Sequence, residues 1–290
     1  MWTEFRYTVG RLRAQILGWG IAIAVLGLIL VPFYRSFQEQ QERFMQLMEE
    51  YPPELLAFLG GADAAAIATP EGYLQYYLFS LLPIIVSLFA VLAASGLIAS
   101  DEERGRLDLI LAYPLSRTGF FWGRVAAFSA AALGVVLLGW LGCLIPLGGS
   151  TLDVGAGRLA LPFLTVLGQI LVYGTLALLL GMILPSRGLA ATLSGLLMVG
   201  SYFLSSLGSL NDTMAAVARF LPYEYYQGGE ALYGLNWAWL GGIFGASVLF
   251  ALLAWWLFVR RDIRVGGEGG WRLPWRSRMR RAAERQGVQA

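Results

Sequence analysis

The residues best suited to a functional role lie in one short charged segment between two long apolar stretches. We call this segment, residues 100–117, the island. Ser100 followed three residues later by Glu103 fits a helix-capping box, Pro114 is a helix terminator, and Ser116 can cap the next helix. Apolar residues recur at helical spacing within it: Leu107, Ile110 and Leu111. The island is therefore predicted to be a short amphipathic helix, either an ordinary interfacial hairpin or a lever on which a partner acts.

Two absent residue types limit the chemistry of the chain. It contains no histidine, and all 21 of its basic residues are arginines, so lysine is absent too. Without lysine the chain has no P-loop for ATP, and without histidine it has neither an HExxH metal site nor a histidine-based catalytic triad. The single cysteine, Cys143, cannot form an internal disulfide. We predict no catalytic residue, no metal site and no cofactor bound by this chain, which is therefore not expected to be an enzyme.

The composition indicates an integral membrane protein. The 290 residues are 57% hydrophobic and only 14% charged, with a mean hydropathy of +0.62, whereas a soluble domain has about 25% charged residues. About 20 apolar residues are needed to cross a bilayer. The sequence thus predicts an all-α membrane protein with six spans, near residues 16–34, 73–99, 119–147, 159–184, 189–208 and 237–259.

The arginines predict the orientation of these spans. If the chain alternates sides, 17 arginines fall on one side and 4 on the other, which completes the 21. Because arginines concentrate in cytoplasmic segments, both termini and the island are expected in the cytoplasm. The basic segment 263–290 is then a cytoplasmic tail, which is expected to bind the lipid surface rather than nucleic acid.

Two further segments lie next to spans. Near the N-terminus, Trp2, Phe5 and Leu12 fall on one helical face and the arginines lie mostly elsewhere, which predicts an interfacial helix on the cytoplasmic leaflet. That helix serves as a membrane anchor or touches a partner. On the other side, residues 209–236 are rich in aromatic residues and form either an interfacial belt or a re-entrant helical pair.

The predicted spans contain no Asp, Glu, Lys or His, and Arg124 is their only charged residue. Arg124 is close enough to the third span's cytoplasmic end that its side chain is expected to extend back to the cytoplasm. Ion-coupled carriers usually hold acidic residues within the membrane, and voltage sensors hold ladders of arginines. The sequence therefore favours a passive membrane component or one powered by another protein.

The island carries a family resemblance. Its signature residues resemble those between spans two and three of ABC-2 type transporter permeases: Glu103, Gly105, Leu107, Ile110, Leu111, Pro114, Leu115, Ser116 and Arg117. The resemblance covers nearly the whole chain, residues 1–262, as one membrane domain. Two positions depart from the usual pattern, since Arg106 stands where Thr is common and Arg124 where Lys is common.

The resemblance implies a type V exporter-like permease that pairs with a separate ATPase subunit, which would hold ATP and Mg. Two permeases, identical or paralogous, would join two ATPases in the plasma (inner) membrane of a prokaryote. The island would be the coupling helix, and its contacts with the ATPase would come from Glu102, Glu103, Gly105, Leu107, Ile110, Leu111, Pro114 and Arg117. The N-terminal helix would be the connecting helix, with Trp2, Phe5, Arg6 and Leu12, and re-entrant helices would precede the sixth span.

The leading hypothesis is thus the permease subunit of an ATP-binding cassette exporter that moves a hydrophobic or amphipathic substrate out of the cell. The alternative is a non-transporting scaffold or anchor whose island docks another cytoplasmic protein. A channel or secondary carrier that works alone is a further alternative, but the spans contain none of the acidic residues such a protein usually needs. No residue of the sequence identifies the substrate site.

Overall fold

The computed structural model describes residues 1–43, 46, 69–107, 110, 116–208 and 212–260. These residues form helices and connecting turns, with no strand among them. Six of the helices in these ranges are long and apolar enough to cross a membrane. The predicted all-α, six-span architecture is confirmed, and the chain has the character of a multi-pass membrane protein. The predicted tail at 263–290, and the island residues Leu111 and Pro114, lie outside the described residues.

The observed helices agree with the predicted spans to within a few residues, except at the first two. We number the α-helices in chain order: α1 Trp2–Glu39, α2 Pro70–Leu74, α3 Leu82–Ser95, α4 Ala99–Glu103, α5 Arg117–Leu147, α6 Ala156–Ile183, α7 Arg187–Ser206, α8 Asp212–Ala218 and α9 Trp237–Arg260. The second span consists of α2, a π-helical segment at Gln75–Phe79, and α3.

The first span and the predicted connecting helix are one element. α1 runs without a break for 38 residues, about 57 Å, so the boundary expected near residue 16 is absent. Its buried residues form a single stripe along the whole length: Glu4, Thr8, Leu12, Gly20, Ile23, Gly27, Val31, Tyr34 and Phe37. The stripe faces α5 along most of its length, and this contact, rather than the lipid surface, explains the amphipathic pattern.

α1 and α5 run parallel in close contact, as the first and third spans must if the chain alternates sides. Successive contacts along the pair join residues that are 118 or 119 positions apart: Gly123 with Glu4, Gly134 with Ile16, and Gly142 with Ala24. A Cβ on Gly142 would overlap the backbone of Ala24. Glycines thus bring the two helices together along a straight seam, as small residues do in membrane helix pairs.

The six spans have two ends with different partners. At the end that contains the island, Met1 lies beside Gly119, and the Arg117 side chain donates to the carbonyl of Val259 at 3.4 Å. At the far end, the Thr151 hydroxyl donates to the Gln38 side chain at 3.0 Å. α6 occupies the centre and packs against α3, α5, α7 and α9. We call the two ends the island end and the far end.

The segment before α9 folds back at the far end as short helices. α8 is followed by 3₁₀-helices at Pro222–Tyr225 and Gly228–Leu232. Ala231 and Leu232 are buried against the spans, whereas Phe220 and Tyr233 are exposed. Short helices are therefore present before the sixth span, as predicted, and exposed aromatic residues flank them.

Candidate functional site

The end of α3 leaves carbonyl oxygens that need hydrogen-bond donors, because the last carbonyls of a helix have no partner within it. Three arginines from three different spans supply the donors. Arg187 of α7 donates to Leu92 O at 3.2 Å, and Arg11 of α1 donates to Gly96 O at 3.2 Å. Arg124 of α5 donates to Leu97 O. We call Arg11, Arg124 and Arg187 the arginine clamp, and it holds the junction between α3 and the island.

The island contributes the opposite charge to this junction. Asp101, only 3% exposed, accepts from Arg124 at 2.6 Å and pairs with Arg11 at 3.3 Å and Arg106 at 3.4 Å. Its carboxylate is therefore shared among α1, α5 and the island itself. A carboxylate buried in this way is stable only because its cationic partners are present.

Arg124 is the most buried charged residue of the site. It is 1% exposed, and its guanidinium also lies 3.5 Å from Glu4 and 4.1 Å from the centre of the Phe120 ring. The prediction that this side chain extends to the cytoplasm is wrong: it turns inward, because two carboxylates and a free carbonyl meet it there. Gly123 makes room for this, since a side chain at that position would contact Met1 O and Glu4.

Glu103 joins the island to the fifth span. Its carboxylate accepts from the backbone N–H of Arg187 at 2.6 Å, at the first residue of α7. A carboxylate at this place fills an unsatisfied N-terminal donor and complements the helix dipole. The predicted capping box is thus wrong. Glu103 caps another helix, and the Ser100 hydroxyl donates back to Gly96 O at 2.5 Å.

The cap predicted at Ser116 is confirmed. Its hydroxyl accepts from Gly119 N at 3.1 Å, and α5 begins at the next residue, Arg117. Arg117 is half-buried there. The end of the island is thus fixed by a local contact as well as by contacts with other spans.

The island residues predicted to contact a partner divide into an inner and an outer set. Glu102 and Leu107 are buried and Ile110 is half-buried, whereas Glu103 is exposed. Gly105 has φ 64°, a conformation that favours glycine. The surface that the described island presents therefore comes mainly from Glu103 and its neighbours, Arg104 and Arg106.

The residues predicted for the connecting helix also divide into a buried set and an exposed set. Leu12 is buried in the seam with α5, and Phe5 is half-buried. Trp2 is 68% exposed and stacks on Phe5, with ring centres 5.2 Å apart. Arg6 is exposed. Trp2 and Arg6 are thus the members of this set that a partner or a lipid headgroup can reach.

Sequence reasoning missed the residues that hold the island in place: Glu4, Arg11, Asp101, Arg124 and Arg187. One signal was available, because a lone charge within an apolar span is costly unless it is paired. The partners of Arg124 could not be recognised in this way, because Glu4 lies 120 positions and Asp101 lies 23 positions away from it in the sequence.

A second set of contacts lies at the far end, where the second span is broken. Pro83 has no N–H, so the carbonyl of Phe79 loses its helical donor, and the hydroxyl of Tyr226 donates to it at 3.0 Å. The next carbonyl, Ser80 O, accepts from the hydroxyl of Tyr223 at 3.2 Å. We call Tyr223 and Tyr226 the tyrosine latch. It fastens the re-entrant segment to the broken span.

The contact between the re-entrant segment and the second span depends on close approach at a glycine and on two protonated phenols. Gly229 N donates to the Gln75 side chain, and a Cβ at Gly229 would come 2.8 Å from Gln75 Cα. Burial raises the pKa of Tyr223, and it raises the pKa of Tyr226 well above its ordinary value. Both phenols therefore stay protonated, as donors must, throughout the physiological range.

The described residues contain no group of His, Cys, Asp or Glu that could hold a metal ion. The contacts at the island end instead form a polar junction between helices. One short helix is tied by polar contacts to the first, third and fifth spans, and it continues directly from the second. A displacement of the island would therefore act on four spans together.

Comparison with curated proteins finds no match for this chain. A comparison with protein families does find one, over residues 9–258. That range includes most of α1, the other five spans, the island and the re-entrant segment. The chain belongs to the family of the C-terminal domain of the multidrug efflux system permease Rv1217c.

Proposed function

We propose that this chain is the membrane subunit of an ATP-binding cassette exporter of the ABC-2 type. A separate ATPase would bind ATP and Mg and supply the energy, because this chain has no lysine with which to form a P-loop. The observation that carries the proposal is the arginine clamp, since it connects a helix with an exposed charged surface to the spans.

The island would be the part on which the ATPase acts. Glu103, Arg104 and Arg106 are exposed there, and they would lie on the cytoplasmic side if arginines mark that side. Asp101 and Glu103 bind α1, α5 and α7 through hydrogen bonds to charged groups, which are stronger than neutral ones. When two ATPases close on ATP, the island would move these spans as one body.

The assembly would contain two copies of this chain, or this chain and a paralogue, together with two ATPases. Large apolar side chains remain exposed on several spans, and on α3 they form one stripe: Ile85, Leu88 and Leu92. Lipid or a second permease would cover them. The cargo would be hydrophobic or amphipathic, because the family's name refers to multidrug efflux and the spans offer few charges to a polar substrate.

The test is co-purification of the full chain with ATPases of the same organism, followed by measurement of ATPase stimulation and of efflux from vesicles. Arg104→Glu, which reverses an exposed charge on the island, is expected to weaken both complex formation and stimulation. Arg35→Glu is the matched control, because Arg35 is equally a surface arginine but lies at the far end.

Two results would contradict the proposal. In the first, complex formation and ATPase stimulation both survive when Glu103, Arg104 and Arg106 are replaced together by alanine. In the second, the complex forms and hydrolyses ATP but moves no substrate, which is the behaviour of a scaffold.

A further inference from the structure

An apolar cavity lies at the far end between α6, α9 and the re-entrant segment. Its volume is about 300 Å³, which is at the lower limit for sites that hold small molecules. Aromatic side chains form much of its wall: Phe220, Tyr225, Trp239 and Phe250. None of its lining residues belongs to the island, and Pro222 and Tyr225 place it next to the tyrosine latch.

Small residues on α9 give this cavity the form of a groove along the helix. Ala238, Gly242 and Ala246 recur every fourth residue and line it, so they lie on one face of α9. From Ala238 to Phe250 the helix rises about 18 Å. One leaflet of a bilayer has a hydrocarbon layer of about 15 Å, half of the full core. The residues of α9 that line the groove therefore extend over about the depth of one leaflet.

The residues near the mouth of the groove are of types that are common at a membrane surface. Phe220 is 88% exposed and Trp237 is 68% exposed, as is typical of aromatic residues at the level of lipid headgroups. Arg219 precedes Phe220 in the chain and is also exposed, and its carbonyl accepts at 2.6 Å from the hydroxyl of Tyr225, which lines the groove. Within the described part of the chain, no carboxylate forms an ion pair with Arg219.

We propose that this groove binds one phospholipid from the leaflet at the far end, with an acyl chain along Gly242 and the phosphate group at Arg219. A guanidinium suits a phosphate because its donors match the phosphate oxygens. The lipid would fill the space between α9 and the re-entrant segment. The proposal does not depend on an ATPase partner.

Two glycines of α9 allow the proposed lipid site to be tested. Neither Gly242 nor Gly245 has a neighbouring atom within 4 Å of a Cβ built on it, so the first carbon of a side chain meets no atom at either position. Only Gly242 lines the groove. Gly242→Leu should therefore fill the groove without disturbing the fold, and Gly245→Leu is the matched control. Ala246→Leu is a second groove-filling variant.

The assay is native mass spectrometry of the purified full chain, delipidated and then titrated with phosphatidylglycerol. We expect one tightly bound lipid for the unmodified chain and for Gly245→Leu. Gly242→Leu should bind about a hundredfold more weakly, because leucine displaces about three or four chain carbons and each buried methylene contributes about a factor of four. Arg219→Gln should bind about tenfold more weakly, through loss of a charged hydrogen bond.

Three outcomes would overturn the proposal. One is equal lipid binding by the unmodified chain, Gly242→Leu and Ala246→Leu, which would place the lipid elsewhere. Another is the absence of any retained lipid on the unmodified chain. The third is displacement of the lipid by ethidium at equal concentration, which would make the groove a cargo site. Unchanged binding by Arg219→Gln would overturn the assignment of the phosphate.

Discussion

Replacing Arg124 is the most direct test of how the island is held. Arg124→Met removes the 2.6 Å contact with Asp101, the 3.5 Å contact with Glu4 and the hydrogen bond to Leu97 O. Removal of one partner from a buried ion pair destabilises a protein by about 3–5 kcal/mol. Asp101→Asn leaves Arg124 buried with a weaker partner, so a loss of similar size is expected.

The losses in free energy of unfolding caused by these two substitutions should not be additive. Once Arg124 is gone, Asp101 keeps only its pairs with Arg11 and Arg106, which are both partly exposed, so removing its charge then costs much less than it does in the unmodified chain. Independent changes would sum to about 6–10 kcal/mol, whereas the double variant should lose only about 3–5 kcal/mol. The coupling free energy is therefore about 3 kcal/mol or more.

Unfolding by denaturant in mixed micelles, followed by tryptophan fluorescence, measures these free energies. The control is Arg35→Met, because the pair of Arg35 with Glu39 is 3.8 Å long and both side chains are more than two-thirds exposed, at 76% and 68%. Such a pair contributes less than about 1 kcal/mol. Additivity of the Arg124 and Asp101 variants to within about 0.5 kcal/mol would refute the assigned contact.

Three other predictions concern the remaining contacts. Glu103→Ala should speed amide exchange at the start of α7 and lower stability by about 1 kcal/mol, because Arg187 N loses its cap. Tyr226→Phe should lower stability by about 1–3 kcal/mol, since Phe79 O loses its donor; in a Pro83→Ala background, which restores an N–H, the same change should have little effect on unfolding. The contribution of the latch to the free energy of unfolding should not depend on pH below about 10, the pKa of a free phenol. Above that pH the contribution should fall, because the unfolded chain loses phenol protons that the folded latch retains.

Each of these predictions has an outcome that contradicts it. Unchanged exchange at α7 would show that Glu103 does not cap that helix. An equal loss from Tyr226→Phe with and without Pro83 would show that the phenol does not replace the missing N–H. A fall in stability between about pH 7 and 9, monitored by fluorescence, would show that another group controls the response.

The positions of the spans could be predicted from the sequence because apolar length alone determines them. The third span was expected at 119–147 and is found at Arg117–Leu147. The role of residues 2–16 could not be predicted in the same way. Their pattern indicates that one face of the helix is covered, but a periodicity does not identify the covering surface, which here is α5 rather than lipid.

The island shows a similar limit. The cap at Ser116 follows from a local rule, because it depends on residues three positions apart. The predicted helix does not continue to Leu107, because the short helix of the island ends at Glu103 and Gly105 has a positive φ. The actual partners of Glu103 and Asp101 come from other spans. Local rules therefore assigned Glu103 to the wrong helix terminus, since Ser100 and Glu103 have the right spacing for a capping box but are both bound elsewhere.

The seam between α1 and α5 has a consequence for the amplitude of any motion. At Gly27, Gly139 and Gly142 the two helices are in close contact, so we expect them to tilt together as one rigid pair. α5 alone has 31 residues and is about 46 Å long. A tilt of about 10° at the island end would carry the opposite tip through about 8 Å, on the scale of a small molecule's width. If a partner moves the island as proposed, this pair of helices would convert a small displacement at the island end into a larger displacement at the far end.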